Sequence, residues 1–505
     1  MSNSAKPREI AATGIPGLDN VLAGGFTKNR LYLIQGDPGV GKTTLGLQFL
    51  LEGAEQGESS LYLTLSESKE ELHAVADSHG WDIDKIHIFE YSAHDRLESE
   101  DTSTLFHPSE VELGEATRRL LEEVERIKPQ RLVIDSLSEI RLLAQSALRY
   151  RRQILGLKHY FTGRQCTVLM LDDRNANDGD MQLMTLAHGV LMLEQLSPVY
   201  GAERRRLRVS KYRGVRYRGG YHDFTIRTGG IVAYPRLVAS EHRDDFTPRR
   251  IASGITEVDA LLGGGIDRGT STLIMGPAGA GKSLLATRYV TAAADRGENA
   301  AVFIFDESRG TLFARSHALQ MNIGEHVKAG RVTVQQIDPA EIPPGEFVHL
   351  VRDAVEKQNA SVVVIDSLNG YMNAMPEEHF LTIQMHELLT YLGQKGVATI
   401  LVVAQHGLLG SSMVSPVDVS YLADCVILLR YYEHAGEIRK AISVVKKRSG
   451  AHEQSIRPLT LSSEGMSVGP PLSEFHGILS GTPLVNEGNG SNIYGTDQRT
   501  ARPSA

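Results

Sequence analysis

The stretch LYLIQGDPGVGKTTLGLQFLLEGAEQG, residues 31–57, decides the fold of this chain. It contains an apolar run, a glycine-rich loop that fits G-x-x-x-x-G-K-[ST], and a helical pattern, in that order. This is the context in which such a loop cradles phosphate. Its glycines permit backbone angles that point successive N–H groups at one anion, and the next helix adds the positive end of its dipole. The alternative interpretation is a glycine-rich turn without a ligand.

The arrangement occurs a second time in the chain. Residues 272–297 read TLIMGPAGAGKSLLATRYVTAAADRG, and the second loop starts 240 positions after the first. Other blocks match in the same order: TGIPGLDNVLAGGF (13–26) with SGITEVDALLGGGI (253–266), RLVIDSLSE (131–139) with SVVVIDSLNG (361–370), and RLRVSKYRG (206–214) with KAISVVKKRSG (440–450). Ordered matches of this kind indicate an internal duplication.

The length agrees with two domains. A hydrophobic core seldom grows beyond about 250–300 residues, and this chain has 505. The segment ASEHRDDFTPRR (239–250) is polar and charged, as linkers tend to be. We therefore expect a first domain over 1–245, a second over 246–475 and a flexible tail over 476–505.

Short β-branched runs alternate with longer helical patterns in both halves. The runs LYLIQG, SLYLTL, RLVIDS and CTVLML predict strands in the first half, and TLIMG, AVFIF, SVVVIDS and TILVVA predict strands in the second. Strands separated by helices predict an α/β fold in which each domain is a mostly parallel sheet flanked by helices. Such sheets bind ligands at the carboxyl ends of their strands, where the two loops fall.

Both loops supply candidate nucleotide contacts. Lys42 and Lys282 are expected to reach the β- and γ-phosphates of ATP, and Thr43 and Ser283 are expected to ligate Mg²⁺. The full predicted set of nucleotide-binding residues is Gly36, Asp37, Pro38, Gly39, Val40, Gly41, Lys42, Thr43 and Thr44 in the first half, and Gly276, Pro277, Ala278, Gly279, Ala280, Gly281, Lys282, Ser283 and Leu284 in the second.

Acidic residues at strand ends complete the predicted sites. Asp135 and Asp366 end the runs LVID and VVVID, which is the Walker B position that orients the magnesium shell. Glu67 and Glu307 follow LYLTLS and VFIFD. A carboxylate there can position the attacking nucleophile. Two alternatives stay open: a plain strand-end aspartate, and a glutamate that caps the next helix, since SESKEEL and DESRGTL both look like helix starts.

Composition excludes several classes of protein. The formal net charge of −8 argues against a surface built mainly for nucleic acid. The N-terminus lacks the apolar stretch of a signal peptide, and the longest apolar runs, such as VATILVVA (397–404), are too short to span a bilayer. The two cysteines, Cys166 and Cys425, form no metal or redox motif and are expected to be small core residues. We expect a cytoplasmic protein that does not bind a membrane.

The paired loops, the TGI–GLD–GG lead-in, the IDS strand and the K-x-R-G block resemble the KaiC family over residues 12–485. The resemblance implies two tandem RecA-like P-loop domains. It also implies an ATP-dependent homohexameric ring with nucleotide between subunits, a first half that is mainly an ATPase, and a second half with serine/threonine autokinase and autophosphatase activity. The resemblance further implies a role in a circadian clock or a related signalling switch.

The resemblance assigns the acids with one departure. KaiC-like domains usually carry two adjacent glutamates after the second strand, of which the first is the base. Here the second half has Asp306-Glu307, so Asp306 is the expected base for phosphotransfer. The first half has Ser66-Glu67, and Glu67 alone remains to activate water. If it cannot, hydrolysis there is slow.

The resemblance also places the phosphorylation site and the contacts in trans. In SPVDVSYLADCVILLRY (415–431), Ser420 falls at the family's phosphoserine and is the expected acceptor, and Tyr421 stands in place of its phosphothreonine. The K-x-R pairs, expected to reach a neighbour's nucleotide, are Lys211 with Arg213 and Lys446 with Arg448. The arginine-dense run 204–218 around the first pair is otherwise a solvated edge or a nucleic-acid contact.

Partners and alternative functions follow from the same residues. The expected partner is a second copy of the chain, and a KaiB-like protein is a further candidate. A KaiA-type partner is not inferred, because the tail departs from the family after Pro483. Two other functions stay open. A RecA-like DNA-dependent ATPase would be stimulated by single-stranded DNA, and a ring scaffold with structural ATP would show little turnover.

Overall fold

A computed structural model describes residues 8–91, 108–174, 180–198, 200–372, 378–405, 421–463, 465–479 and 484–485. The chain separates into two compact units. The first extends to Leu237 and also takes in Ala340–Leu350, and the second begins at Val238. The division agrees with a duplicated chain, while the finer boundaries expected from the sequence stay predictions.

The first half has eleven described strands: nine form one sheet with helices on both faces, and the first two pair only with each other. Its strands are β1 (Ile10–Ala11), β2 (Phe26–Thr27), β3 (Leu31–Gly36), β4 (Ser60–Thr64), β5 (His87–Glu90), β6 (Arg131–Asp135), β7 (Thr167–Asp173), β8 (Gly189–Leu196), β9 (Arg204–Tyr212), β10 (His222–Arg227) and β11 (Gly230–Tyr234). Its helices are α1 (Pro16–Val21), α2 (Lys42–Glu55), α3 (Lys69–His79), α4 (Pro108–Ile127), α5 (Leu137–Ala144), α6 (Ala147–Phe161) and α7 (Asp180–Leu186).

The strand order of this sheet is β11-β10-β9-β8-β3-β7-β6-β4-β5. The six strands from β8 to β5 are parallel, and β9 to β11 extend the sheet as antiparallel strands. Because the ends of β3, β4, β6 and β7 lie at one edge, the phosphate loop, the acid after β4 and the Walker B aspartate come together there.

Both faces of the sheet are covered, which explains the continuous apolar runs. Along β3, Tyr32 and Ile34 pack on the side of α2 and α3, whereas Leu31 and Leu33 pack on the side of α4 to α6. Successive residues of a strand point to opposite faces, so a strand that is buried on both sides is apolar at every position.

The second half repeats this architecture. Its strands are β12 (Arg250–Ile251), β13 (Ile266–Asp267), β14 (Ser271–Gly276), β15 (Asn299–Ile304), β16 (Val332–Gln336), β17 (Ala360–Asp366), β18 (Ala398–Ala404), β19 (Cys425–His434), β20 (Glu437–Lys447), β21 (Arg457–Ser462), β22 (Gly465–Val468), β23 (Phe475–His476) and β24 (Leu484–Val485). Its helices are α8 (Thr256–Leu261), α9 (Lys282–Asp295), α10 (Arg309–Ala318), α11 (Ile323–Lys328), α12 (Pro344–Glu356), α13 (Leu368–Met372) and α14 (Glu378–Gln394). A single-turn 3₁₀ helix at Ala239–Glu241 precedes β12.

The second sheet has the order β16-β15-β17-β18-β14-β19-β20-β21-β22. The first six strands in this order, from β16 through β14 to β19, are parallel, and β20, β21 and β22 are antiparallel. The fold class predicted from the sequence is therefore confirmed in both halves. At the C-terminus, Phe475 and His476 pair with Val485 and Leu484, and residues 486–505 lie outside the described part of the chain.

Candidate active sites

Each phosphate loop connects the end of a buried strand to the start of a helix. The residue before each helix is a glycine, Gly41 with φ 108° and Gly281 with φ 106°. Residues with a Cβ rarely adopt this left-handed backbone, so the motif needs glycine at this position. The turn leaves the first N–H groups of α2 and α9 without intrahelical partners, as an anion site requires. The context predicted for both loops is confirmed.

The first lysine is buried and fully bonded. Lys42 is 8% exposed, and its ammonium donates to the carbonyls of Gly36 at 3.0 Å and Asp37 at 2.9 Å. It also lies 2.8 Å from a carboxylate oxygen of Asp173 at the end of β7. The lysine thus already lies over the loop whose phosphates it is expected to bind.

A hydroxyl and two carboxylates converge beside this lysine. Thr43 donates to Asp135 at 3.1 Å and lies 3.4 Å from Glu67. Tyr62 also donates to Asp135. Burial is the main cause that raises the pKa of Asp135. Thr43, predicted as the magnesium ligand, is therefore in contact with both acids predicted for this site. These oxygens suit Mg²⁺, which prefers hard oxygen ligands.

Glu67 has the character expected of a functional acid. Burial raises its pKa, and the charges of Asp135 and Glu71 raise it further. One of its carboxylate oxygens is buried and has no hydrogen-bond partner in the part of the chain that the structure describes. A buried carboxylate oxygen without a partner is costly, and a bound cation or an ordered water would relieve that cost.

The helix-cap alternative for the glutamates is wrong. Ser68 caps α3 through a capping box with Glu71, and Ser308 caps α10 by accepting from the N–H of Thr311. Each glutamate lies one residue before the cap, and its side chain is directed elsewhere.

The second site has the same frame with a looser lysine. Lys282 is 8% exposed and donates to the Pro277 carbonyl at 2.7 Å. Burial lowers its pKa, while the Asp366 carboxylate counteracts this. Burial raises the pKa of Asp366 to about 6, partly offset by a hydrogen bond from Ser283. Ser283 and Asp366 thus repeat the contact between Thr43 and Asp135.

The acidic pair of the second half divides into two environments. Glu307 forms a bidentate ion pair with Arg315 of α10, at 2.7 and 2.8 Å. Asp306 is exposed and accepts a hydrogen bond from Ser367, the residue after Asp366. Glu307 is thus neutralised, whereas Asp306 stays accessible, as the choice of Asp306 as base requires.

The arginines of the K-x-R pairs lie at the opposite edge of each sheet from the loop of the same half, and the lysines are level with Leu33 and Leu273, three residues before the loop glycine. The N–H of Arg213 donates to the carbonyl of His188, and the N–H of His188 donates to the carbonyl of Leu31 at the start of β3. Arg448 bonds Asp424, which bonds Ser271 at the start of β14, in the same way. Five residues separate each strand start from the loop glycine, which is about 16 Å at a rise of about 3.3 Å per residue.

These cations rest on carbonyls near their own strands. Lys211 donates to Met184 and Thr185 at 2.6 and 2.9 Å, and Arg213 donates to Thr185 at 2.8 Å. In the second half, Lys446 donates to Ala423 at 2.7 Å, and Arg448 lies 3.4 Å from the Asp424 carboxylate. Burial and the neighbouring arginine lower the pKa of both lysines.

The predicted phosphorylation segment is described only in part. Ser420 lies outside the described residues, so its position stays untested. Tyr421 is 53% exposed, and its carbonyl accepts from Arg448 at 3.3 Å. The alternative acceptor therefore lies beside the cation predicted to act in trans.

Two functional residues were missed by the sequence interpretation. Asp173 ends the strand that lies between the loop strand and the Walker B strand, and the acids after CTVLML were a signal that it reaches the site. Arg315 lies eight positions after Glu307 and pairs with it from α10.

The described residues contain no cluster of three or more histidine, cysteine or acidic side chains that suits a metal ion by itself. None of the described helices is long and apolar enough to cross a membrane. Both cysteines are buried and form no disulfide, and burial raises their thiol pKa values to about 12 for Cys166 and about 11 for Cys425.

Comparison with known proteins agrees with the duplicated site. The family model for the KaiC ATPase matches residues 11–238 and again 251–473. The circadian clock protein KaiC3 of Synechocystis sp. is 28% identical over 483 residues, which cover 94% of this chain and 95% of the relative. The circadian clock oscillator protein KaiC is 26% identical in Acaryochloris marina (93% and 90% covered) and 25% identical in Synechococcus elongatus (95% and 93% covered).

Proposed function

The chain belongs to the KaiC ATPase family, and we propose that it is an ATP-hydrolysing ring protein whose second half phosphorylates and dephosphorylates the chain itself. One observation carries the proposal. Each half joins a phosphate loop, a Walker B aspartate and a further acid at one sheet edge, and presents a lysine–arginine pair at the other. The phosphorylation state of the chain would then switch a clock or signalling output.

The loop residues supply the binding function. Lys42 and Lys282 bind the β- and γ-phosphates, and the N–H groups at the starts of α2 and α9 bind the phosphate oxygens. Thr43 and Ser283, with Asp135 and Asp366 behind them, would hold Mg²⁺. The ion, when bound, neutralises charge on the transferring phosphoryl group.

A cavity in the second unit fits the base of the nucleotide. It has a volume of about 420 Å³, and Leu284, Arg288, Leu319 and Met321 line it. Leu284 directly follows the loop, so the cavity begins where the phosphates end. The lining is mixed, since Thr256, Glu257 and Gln320 are polar. The Arg288 guanidinium offers a surface on which an aromatic base can stack.

Hydrolysis in the first half depends on Glu67. Ser66 is exposed and supplies no carboxylate, whereas Glu67 contacts the hydroxyl of Thr43. The pKa of Glu67 is raised. Glu67 is therefore a better proton acceptor than an ordinary glutamate, because a general base works best when its pKa lies near the working pH.

The opposed edges support a ring. An arginine about 16 Å along the sheet from its own loop cannot contact the nucleotide of that loop, because its side chain reaches about 7 Å. It can contact the nucleotide of a neighbour whose loop edge packs against it. A face that meets a different face of the next copy closes into a ring when the rotation allows it.

The required partner is thus a second copy of the chain, in a homohexamer as in the family resemblance. A KaiB-like partner and a cytoplasmic location stay predictions.

The kinase step uses the accessible acid of the second half. Asp306 accepts the proton of the acceptor hydroxyl, Lys282 holds the γ-phosphate, and Lys446 and Arg448 of a neighbour stabilise its charge. Ser420 is the proposed acceptor. Tyr421 is the second candidate, although its phenol lies farther from the backbone than a serine hydroxyl does.

The test is phosphate mapping by mass spectrometry after incubation with Mg-ATP. Wild-type protein is compared with Ser420→Ala and Lys282→Ala, with Tyr421→Phe and Lys42→Ala as matched controls. We expect phosphate on Ser420 that both test variants lose and Tyr421→Phe retains. Unphosphorylated wild-type protein that still forms ADP would overturn the kinase assignment and leave a ring ATPase. No ADP at all would favour the scaffold with structural ATP.

A further inference from the structure

The lysine of the first phosphate loop has a carboxylate partner, whereas the described residues supply no such ion pair to the lysine of the second. The Lys42 ammonium lies 2.8 Å from Asp173 and donates to two loop carbonyls, so all three of its protons are used within the chain. Lys282 donates to one carbonyl and forms no ion pair among the residues that the structure describes. The two lysines therefore meet an incoming nucleotide in different states.

Asp173 is held in place from two sides. It ends β7 directly opposite Gly36 of the loop strand, and Ser138 donates to its second carboxylate oxygen at 3.0 Å. The side chain is 35% exposed. Burial alone would raise its pKa, but the hydrogen bond and the charge of Lys42 bring the pKa below the usual range. At neutral pH the group is thus a fixed negative charge.

In the second half, an uncharged residue occupies the position that corresponds to Asp173. Ala404 ends β18 opposite Gly276, as Asp173 ends β7 opposite Gly36. Asn369, three residues after the Walker B aspartate, bonds the backbone of Ala404 at 2.9 and 3.2 Å. Ser138 has the same spacing from its own Walker B aspartate. The carboxylate is therefore a difference between otherwise equivalent sites.

Building on the proposed nucleotide-binding role of the loops, we propose that Asp173 sets the nucleotide affinity of the first half by competing with the β- and γ-phosphates for the Lys42 ammonium. A phosphate that reaches Lys42 arrives beside a like charge and must displace an ion pair. The repulsion acts most strongly on the terminal phosphate, so Asp173 disfavours ATP more than ADP.

The experiment measures nucleotide affinity in the full-length chain. The parent carries Lys282→Ala, so that the first loop alone binds a fluorescent ATP analogue, and ATP and ADP then compete it off. Asp173→Asn keeps the shape and the bond from Ser138 but removes the charge. We expect it to bind ATP at least about tenfold more tightly, with a smaller gain for ADP, because one charge of a partly buried pair is gone.

The reciprocal variant supplies the control. In a Lys42→Ala parent, Ala404→Asp introduces the carboxylate beside Lys282 and should weaken ATP binding about tenfold. Unchanged or weaker binding by Asp173→Asn, or unchanged binding by Ala404→Asp, overturns the role of Asp173. If the Lys282→Ala parent binds no ATP, the proposed function of the first loop fails as well, so the two failures are distinguishable.

Discussion

The opposed edges of the second sheet predict that its active site is shared between two copies of the chain. Arg448 is level with Ser271, about 16 Å from the loop at Gly276, whereas an arginine side chain reaches about 7 Å. Arg448→Ala should therefore lower turnover about 10³-fold or more, the usual effect of losing an arginine that stabilises transferring phosphate. Lys282→Ala should abolish turnover of the same half.

Mixing these two variants tests the sharing directly. A pair of neighbours is competent when the intact loop of the Arg448→Ala chain meets the intact Arg448 of the Lys282→Ala chain. Random assembly of equal amounts makes about a quarter of the interfaces competent. The assay is ADP release by preassembled mixed rings, in which every chain also carries Lys42→Ala, with assembly checked by light scattering.

The outcome separates two geometries. Recovery to about a quarter of the parental rate shows that the cation acts on a neighbour's nucleotide. Mixed rings that assemble and exchange subunits but stay as inactive as either variant alone would refute the reasoning from strand register. Full activity of Arg448→Ala rings would refute the role of the cation itself.

The first unit yields two further predictions. Burial lowers the pKa of His222 to about 4 from 6.5, and its ring accepts the N–H of Arg236 at 2.8 Å. The folded state therefore favours the neutral imidazole. Its contribution is complete above pH 6.5 and is lost as the pH falls toward 4; between about pH 7.5 and 5 the loss is about 2 kcal/mol. The free energy of unfolding in urea can be followed by the fluorescence of Trp81, the single tryptophan. We expect it to fall over this pH range in wild type but not in His222→Asn. The same pH dependence in both proteins would contradict the prediction. Glu67→Gln in a Lys282→Ala chain should lower ATP hydrolysis at least about 100-fold with nucleotide affinity retained, whereas an unchanged rate would exclude Glu67 as the base.

The two halves differ most where the chemistry is expected. In the first half, an ion pair with Asp173 restrains the loop lysine, and Glu67 forms no ion pair among the residues that the structure describes. In the second half, the loop lysine forms no ion pair with any described residue, and an ion pair with Arg315 restrains Glu307 instead. A duplicated fold thus carries two differently tuned sites, as expected when function resides in the site and the scaffold is shared.

The sequence by itself determined the architecture and most of the site. The loops, the strand-end aspartates and the glutamates were identified by spacing, because a phosphate loop needs its glycines, its lysine and its hydroxyl at fixed local positions. Apolar runs with helical patterns between them predicted parallel sheets, because a strand that is buried on both faces must be apolar throughout. Such features depend on near neighbours along the chain.

The tertiary structure decided which charges meet. The Asp173–Lys42 pair joins residues more than 130 positions apart, and it exists because β7 lies next to β3 in the sheet. The position of the K-x-R pairs depends on antiparallel register, which joins each pair to a strand of the parallel sheet. Strand order, register and crossing angle arise from the packing of the whole domain, so no local pattern in the sequence records them.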